Sequence, residues 1–259
     1  MEKPWHGCEM SARRVIDMAI INSQTNFRVL QWVKLKEKFM RDKQKLFIVE
    51  GFHLVTEAKK TASLKEVVTT ENTIKFDVPT YQVTQDVMQK LSSLATPTKI
   101  LGICHQKEET GYGNNILLVD QIHHPGNLGT IIRSAVAFDV DTIVMSNSVD
   151  VYNQKVIQAS QGMIFHINVI KKSIEPLIRD LKAQGYQIIG TDVKEAINIK
   201  DVQPCEKRAV LVGNEGEGLS QELLSLCDIK VNIEMNKRCE SLNVGVATGI
   251  VLYALGLTK

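Results

Sequence analysis

The chain contains five cysteines, Cys8, Cys104, Cys205, Cys227 and Cys239, but no C-x-x-C pair. Odd in number and widely scattered, they argue against a disulfide framework or a zinc site and fit a reducing compartment. An excess of one charge is also lacking: 31 Lys and Arg stand against 29 Asp and Glu, a formal net charge of +2. A nucleic-acid partner therefore cannot be argued from the total. No apolar run is long enough for a bilayer, which takes roughly 20 residues. The longest, 242–257, is broken by Asn243, Gly245, Thr248 and Gly249 and reads as a buried helix. The N-terminus carries charges without a continuous apolar core, so no signal peptide is expected. A soluble cytoplasmic protein with no membrane contact follows. There is no G-x-S-x-G for a serine hydrolase, no Walker loop and no Rossmann G-x-G-x-x-G. The adjacent His123 and His124 lack a carboxylate–histidine spacing, so no metal site is expected.

At 259 residues the chain has room for two modest domains. Its charge is unevenly distributed. Between Arg28 and Lys45 seven basic residues (Arg28, Lys34, Lys36, Lys38, Arg41, Lys43 and Lys45) face only Glu37 and Asp42. Such a patch suits a phosphate backbone, although a solvated helix face reads equally well. Residues 1–20 show no pattern and are read as a disordered leader. A small α/β domain is expected over 21–105, with a basic helix at 23–45, a strand at 45–51, a helix at 52–60 and strands at 66–70 and 101–104. Residues 106–115 (QKEETGYGNN) are polar and aperiodic and read as a linker.

From 116 to 259 strands and helices alternate, which predicts an α/β domain with a mainly parallel sheet. Strands are expected at 116–119, 142–145, 166–169, 187–190, 209–212 and 229–233. Helices are expected at 127–138, 153–160, 174–184, 221–227 and 242–255. Ligands of such sheets bind outside the carboxyl ends of the strands, where three loops carry unusual residues. The first opens a helix: Leu128, Ile131, Ile132, Ala135 and Val136 form one apolar stripe, leaving Asn127, Thr130 and Arg133 off it. Asn127 is also readable as a helix cap, and Arg133 as a surface residue. The second, Gly213–Ser220, holds three glycines and two carboxylates directly after a strand. In the third, Ile233-Glu234-Met235 precedes Glu240-Ser241-Leu242-Asn243-Val244, and Ser241 can serve as the N-cap of the last helix.

Together these loops resemble the three motifs of the SpoU (TrmH-like) family of RNA 2′-O-ribose methyltransferases, in the SPOUT class. Asn127, Gly129 and Arg133 match N-x-G-x-x-x-R; Gly213, Glu215, Gly216 and Gly218 match G-x-E-G-x-G. Ile233 and Met235, then Ser241, Leu242, Asn243 and Val244, match I-x-M and S-L-N-V. The first half is similar, more loosely, to the ribosomal-protein-like substrate-binding domain fused to this family. Asp139 stands where the family often has Gly, and Glu234 where it often has Pro.

The resemblance implies a trefoil-knotted SPOUT domain, S-adenosylmethionine as cofactor, and a homodimer that places Arg133 of one subunit near the cofactor of the other. It implies cofactor contacts at Gly213, Gly218, Ile233, Met235 and Leu242, and catalytic or positioning roles for Asn127, Arg133, Glu215, Ser241 and Asn243. Arg28, Lys34, Lys36 and Arg41 would then contact RNA, with ribosomal RNA of the 23S type preferred and transfer RNA possible. A base methyltransferase and an inactive RNA-binding protein are the rival readings.

Overall fold

The basic stretch folds as two helices rather than the single one expected. α1, Phe27–Lys34, is capped by Asn26, whose side-chain oxygen accepts from the Arg28 amide; α2 is Lys38–Gln44. The break falls beside buried Leu35. Arg41 folds back from α2, and its Nη1 donates to the carbonyls of Leu35 at 3.0 Å and Lys36 at 2.7 Å. Carbonyls at a helix end have no partner within the helix, so a side-chain donor stabilises the stop.

The computed structural model describes residues 20–74, 76–192 and 196–256. The expected leader lies outside these residues except for Ile20. β1 (Leu46–Glu50), α3 (Phe52–Lys60), β2 (Leu64–Thr69), β3 (Thr80–Gln82), α4 (Gln85–Leu91) and β4 (Ile100–His105) complete the first domain. Its four strands lie in the order β1-β4-β2-β3, antiparallel except for β2 with β3.

The second domain comprises β5 (Asn115–Asp120), α5 (Pro125–Ala137), β6 (Thr142–Ser146), α6 (Gln154–Ser160), a 3-10 turn (Met163–Phe165), β7 (Asn168–Lys171), α7 (Ile174–Ala183), β8 (Gln187–Thr191), β9 (Ile197–Asn198), β10 (Arg208–Val212), α8 (Gln221–Ser225), β11 (Ile229–Asn232) and α9 (Val244–Ala254). Among the described residues the sheet has seven strands in the order β7-β6-β5-β10-β8-β11-β9, every pairing parallel. β10 is buried throughout and β5 beyond Asn115, as apolar runs covered on both faces should be. β7 starts two residues later than expected because the 3-10 turn persists through His166, whose amide bonds the Met163 carbonyl at 3.0 Å. The short β9 was not foreseen.

Topology sets the position of the site. From β5 the chain passes through α5 to β6 on one side, whereas from β10 it passes through α8 to β11 on the other. Loops leaving two neighbouring strands in opposite directions open a crevice at their carboxyl ends. α5 is held over this crevice by Gly129: a β-carbon there would collide with Ala159 of α6 and lie 2.9 Å from the Val156 carbonyl oxygen.

One apolar cluster runs through both domains, beside a further cluster within each. Phe47 of β1 packs on Tyr152 and Phe165, with ring centroids 4.6 and 5.7 Å apart. β1 is an edge strand, and α6 covers it: Gln154 and Gln158 donate to the carbonyls of Ile48 and Glu50 at 2.9 and 3.1 Å. Arg41 then crosses to the second domain, where its Nη2 meets the Asp150 carboxylate at 2.7 Å, both side chains nearly sealed from solvent.

Candidate active site

α5 begins at Pro125, a residue whose fixed φ suits a first helical position, with His124 as its cap residue. Asn127 is thus set in the first turn, facing the loop after β10. That loop is a tight hairpin: the Asn214 amide donates to the Gly218 carbonyl and the Gly218 amide to the Asn214 carbonyl, both at 3.0 Å. Gly218 has φ +73°, and a β-carbon on Gly213 would strike the Gly218 carbonyl. Both glycines are therefore required by the turn itself. The Asn214 side chain braces the hairpin, accepting from Gly216 and Glu217 and donating to the Gln121 carbonyl at 3.1 Å. Sequence reasoning missed this residue.

The hairpin presents Glu215 to the start of α5. Its Oε1 accepts from the His124 amide at 3.0 Å and from Asn127 Nδ2 at 3.1 Å, and its Oε2 from the His123 amide at 3.3 Å. Burial pushes the carboxyl up. The His124 amide, the Asn127 side chain, its own amide and that of His123 outweigh this and hold it below the ordinary glutamate value. Asn127, its own donor engaged, accepts through Oδ1 from Asn243 Nδ2 at 2.9 Å. Asn243 Oδ1 in turn accepts from Gly245 and Val246, so Asn243 is the N-cap of α9. The expectation that Ser241 caps this helix is corrected: α9 starts at Val244, and Ser241 stands two residues too early to reach its first amides.

Three distant segments are thereby joined in one chain of hydrogen bonds, Glu215 to Asn127 to Asn243. With His123 and His124 they line an open cleft. By residue type the two histidines suggest only metal ligation, for which their spacing is wrong; their position immediately before Pro125 at the helix start is the signal that places them here. Arg133 is exposed further along α5 and does not line this cleft within one chain, and Ser241 is likewise exposed beside it.

Ile233, Met235 and Leu242 are half-buried. Among the described residues, their amides and carbonyls enter no backbone hydrogen bond outside the regular elements. Half-buried apolar side chains on a stretch outside the regular elements are compatible with covering part of S-adenosylmethionine.

The basic residues divide. Arg28 is exposed, its guanidinium 4.6 Å from the Tyr81 ring centroid, and Lys34 is exposed. The Lys36 ammonium instead donates to the carbonyls of Lys90 and Ser92 at 2.9 and 2.8 Å, where burial lowers its pKa despite nearby Glu50. Arg41 is only 5% exposed and is spent on Asp150 and two carbonyls. The expected phosphate contact by Arg41 is corrected: it fastens the domains together.

A model of the SpoU rRNA methylase family matches residues 114–253, and one of the MRM3-like substrate binding domain matches 26–102. A Bacillus subtilis 23S rRNA (guanosine(2553)-2′-O)-methyltransferase is 35% identical, over 92% of this chain and 99% of its own length. A Synechocystis protein named as an uncharacterized tRNA/rRNA methyltransferase is 29% identical over 92% and 93%. A Sinorhizobium meliloti rRNA methyltransferase solved with AdoMet bound superposes with a TM-score of 0.80 at 26% identity, covering 92% of this chain and 97% of that one. The fold, the cleft and these matches define an RNA ribose 2′-O-methyltransferase that uses S-adenosylmethionine. The chain belongs to the SpoU rRNA methylase family.

Proposed function

We propose that the substrate is a ribose 2′-hydroxyl of 23S-type ribosomal RNA, seated in the cleft of Asn127, Glu215 and Asn243. The hydrogen-bonded chain through these three residues carries the reading, and the full-length similarity to the Bacillus subtilis enzyme supports the choice of RNA. Transfer RNA is the second choice, favoured by relatives whose names include both RNAs. S-adenosylmethionine, when bound, supplies a methyl group made electrophilic by its sulfonium. Ile233, Met235 and Leu242 hold it, with Gly213 and Gly218 shaping the neighbouring wall. Asn127, Glu215, Asn243 and Ser241 position the ribose, and effective alignment of this kind is worth many powers of ten in rate. Arg28 and Lys34 meet phosphates at a distance from the cleft.

Arg133 completes the site from a second copy. Val246, Ile250 and Tyr253 of α9 are 50%, 37% and 73% exposed at helical spacing. α9 packs on α5 through Gly245 against Thr130 and Gly249 against Ser134. A homodimer formed on this face covers the stripe and brings the partner subunit's Arg133 toward the cofactor. The same reading carries the trefoil knot and a cytoplasmic location; among the described residues no helix is long and apolar enough to cross a membrane.

The test is transfer of labelled methyl to unmodified total RNA, comparing wild type with Arg133→Ala, followed by alkaline hydrolysis and size fractionation. Label in alkali-resistant dinucleotides of large ribosomal RNA, lost in the variant, is expected. Label in mononucleotides would indicate base methylation and overturn the reading.

A further inference from the structure

α2 is pinned on its inner side. Arg41 reaches Asp150 and two carbonyls there, Met40 and Gln44 are half-buried, and Gln106 Nε2 donates to the Arg41 carbonyl at 3.1 Å. The outer side is Lys38, Phe39 and Lys43, all exposed. Phe39 is 72% exposed, and among the described residues its ring packs on no other aromatic ring. Phe52, also exposed, differs in pairing with Phe76, at 6.5 Å between centroids. A single phenylalanine in water is ordinary on a protein surface. This one has a lysine beside it and another four residues on, on the same helix face. Against them stand exposed Glu37 and half-buried Asp42.

α2 also sits at the cleft's end of the molecule. β1 runs along α6 in the same direction, with Ile48 bonded to Gln154 and Glu50 to Gln158. The residues ahead of β1 therefore lie toward the start of α6. Asp150, which Arg41 holds, belongs to the loop between β6 and α6. β6 is parallel to β5, with Ser146 opposite Asp120, and His123 and His124 of the cleft follow β5. The loop that anchors α2 and the loop that lines the cleft thus leave neighbouring strands at the same end. α6 stands between them, and Lys155 in its first turn is exposed.

We propose that Phe39 is a stacking platform for one unpaired base of the RNA, with Lys38 and Lys43 on the adjoining phosphates and Lys155 on the path to the cleft. This rests on RNA being the substrate. Every base has a flat apolar face, so a phenyl ring holds one without reading its identity, while lysines neutralise the backbone beside it. In a duplex those faces are already covered by neighbouring bases, so the nucleotide taken here is single-stranded. The charge of the helix face matches a polyanion. A protein partner would need a wider apolar patch than one ring among lysines. Because α2 is pinned from its inner side, the ring is presented on a fixed support, and little freedom is lost when a base settles on it.

The test is the affinity of the full chain for an unmodified large-subunit ribosomal RNA transcript, measured for wild type, Phe39→Ala, Phe39→Leu, Phe39→Tyr and Phe39→Trp. Thermal unfolding and the methyl-transfer rate at saturating RNA are followed alongside. Phe39→Ala and Phe39→Leu are expected to bind about 10-fold more weakly, with unfolding and the saturated rate unchanged. Phe39→Tyr and Phe39→Trp keep the wild-type affinity, and RNA quenches the emission that Phe39→Trp adds to that of Trp5 and Trp32. Lys38→Gln with Lys43→Gln lowers the dependence of log Kd on log salt by roughly 1.4, at about 0.7 per phosphate on a single strand. Unchanged affinity in Phe39→Ala overturns the proposal. Leucine serving as well as tyrosine also overturns it, since that would show an apolar contact of the kind a protein partner makes. Wild type that binds no such transcript sinks the substrate reading and this proposal together, whereas wild-type binding that ignores Phe39 sinks this proposal alone.

Discussion

The side-chain amide of Asn243 donates to Asn127 Oδ1 at 2.9 Å across 116 positions of sequence, while the oxygen of the same amide caps α9. One residue therefore both starts the last helix and orients the residue that holds Glu215. Replacing it separates the two duties. Asn243→Ala is expected to cost about 1 kcal/mol of stability through the lost cap and on the order of 10²-fold in rate. Asn243→Ser keeps a capping oxygen but has no donor that reaches Asn127, so thermal unfolding should recover while turnover does not. Recovery of both would remove the positioning role.

Glu215 accepts from the amides of His123 and His124 and from the Asn127 side chain, with its own amide also lowering its pKa. Glu215→Gln turns one oxygen into a donor and sets it against another. A rate loss of about 10-fold or more is expected, with Asn127 released. The carboxyl is held below its ordinary value, 4.5, so its contribution is complete above that pH and disappears as pH falls through the lower folded value. Cofactor affinity and structure around the cleft, followed by tryptophan-independent probes such as amide exchange, should therefore hold to about pH 4.5 and fail below it. Loss already at pH 6 would point to another group.

Asp150 carries a buried ion pair between the domains. Burial raises its pKa, but the Arg41 hydrogen bond and the charges of Lys171 and Arg41 outweigh that and hold it low. Asp150→Ala leaves the Arg41 charge buried without its carboxylate, at an expected cost of about 3–5 kcal/mol in chemical denaturation. Arg41→Met with Asp150→Leu should regain most of it. The pair's contribution is complete above the ordinary aspartate value of 3.8 and is lost as pH falls through the depressed one. An unchanged midpoint in Asp150→Ala would show that the apolar contacts hold the domains unaided.

Gly129→Ala introduces a β-carbon against Ala159 and the Val156 carbonyl. Overpacking of this kind costs about 1–3 kcal/mol. Because α5 has to move away from α6 to relieve it, activity should fall further than stability predicts, with Asn127 displaced. A variant of normal activity would show that α6 yields instead.

The stripe of Val246, Ile250 and Tyr253 gives a test of assembly. On the proposed dimer, Ile250→Asp is expected to yield a folded monomer by sedimentation with activity lost. A fully active monomer would place Arg133 outside the reaction.

Much of the catalytic half was legible because its strands are unbroken apolar runs and α5 has a clean 3.6-residue stripe. The three site loops were visible as clusters of Gly, Asn and carboxylates after strands. Less was legible wherever a distant partner decides the outcome. The basic stretch reads as one helix because its break depends on Arg41 folding back onto the Leu35 carbonyl, which composition does not encode. Arg41 itself reads as a surface cation until Asp150, far along the chain, is placed against it. Ser241 and Asn243 are equally good caps by residue type, and only the start of α9 at Val244 decides between them. The histidine pair lacks a metal-site spacing, and the amides by which it holds Glu215 carry no side-chain signal at all.

α6 is the wall common to both halves: one side meets Gly129 of α5, and the other seals the edge of β1 through Gln154 and Gln158. In terms of measurement, it is the fixed bar of a calliper. On the function proposed above, one jaw is α1 with its exposed Arg28 and Lys34 and the other is the cleft. An RNA held by the first would then offer to the second only a nucleotide lying one set span away. Substitutions that tilt α6 should move the mark to a neighbouring nucleotide, and mapping the modified position in a Gln158→Ala variant would show whether the span sets the address.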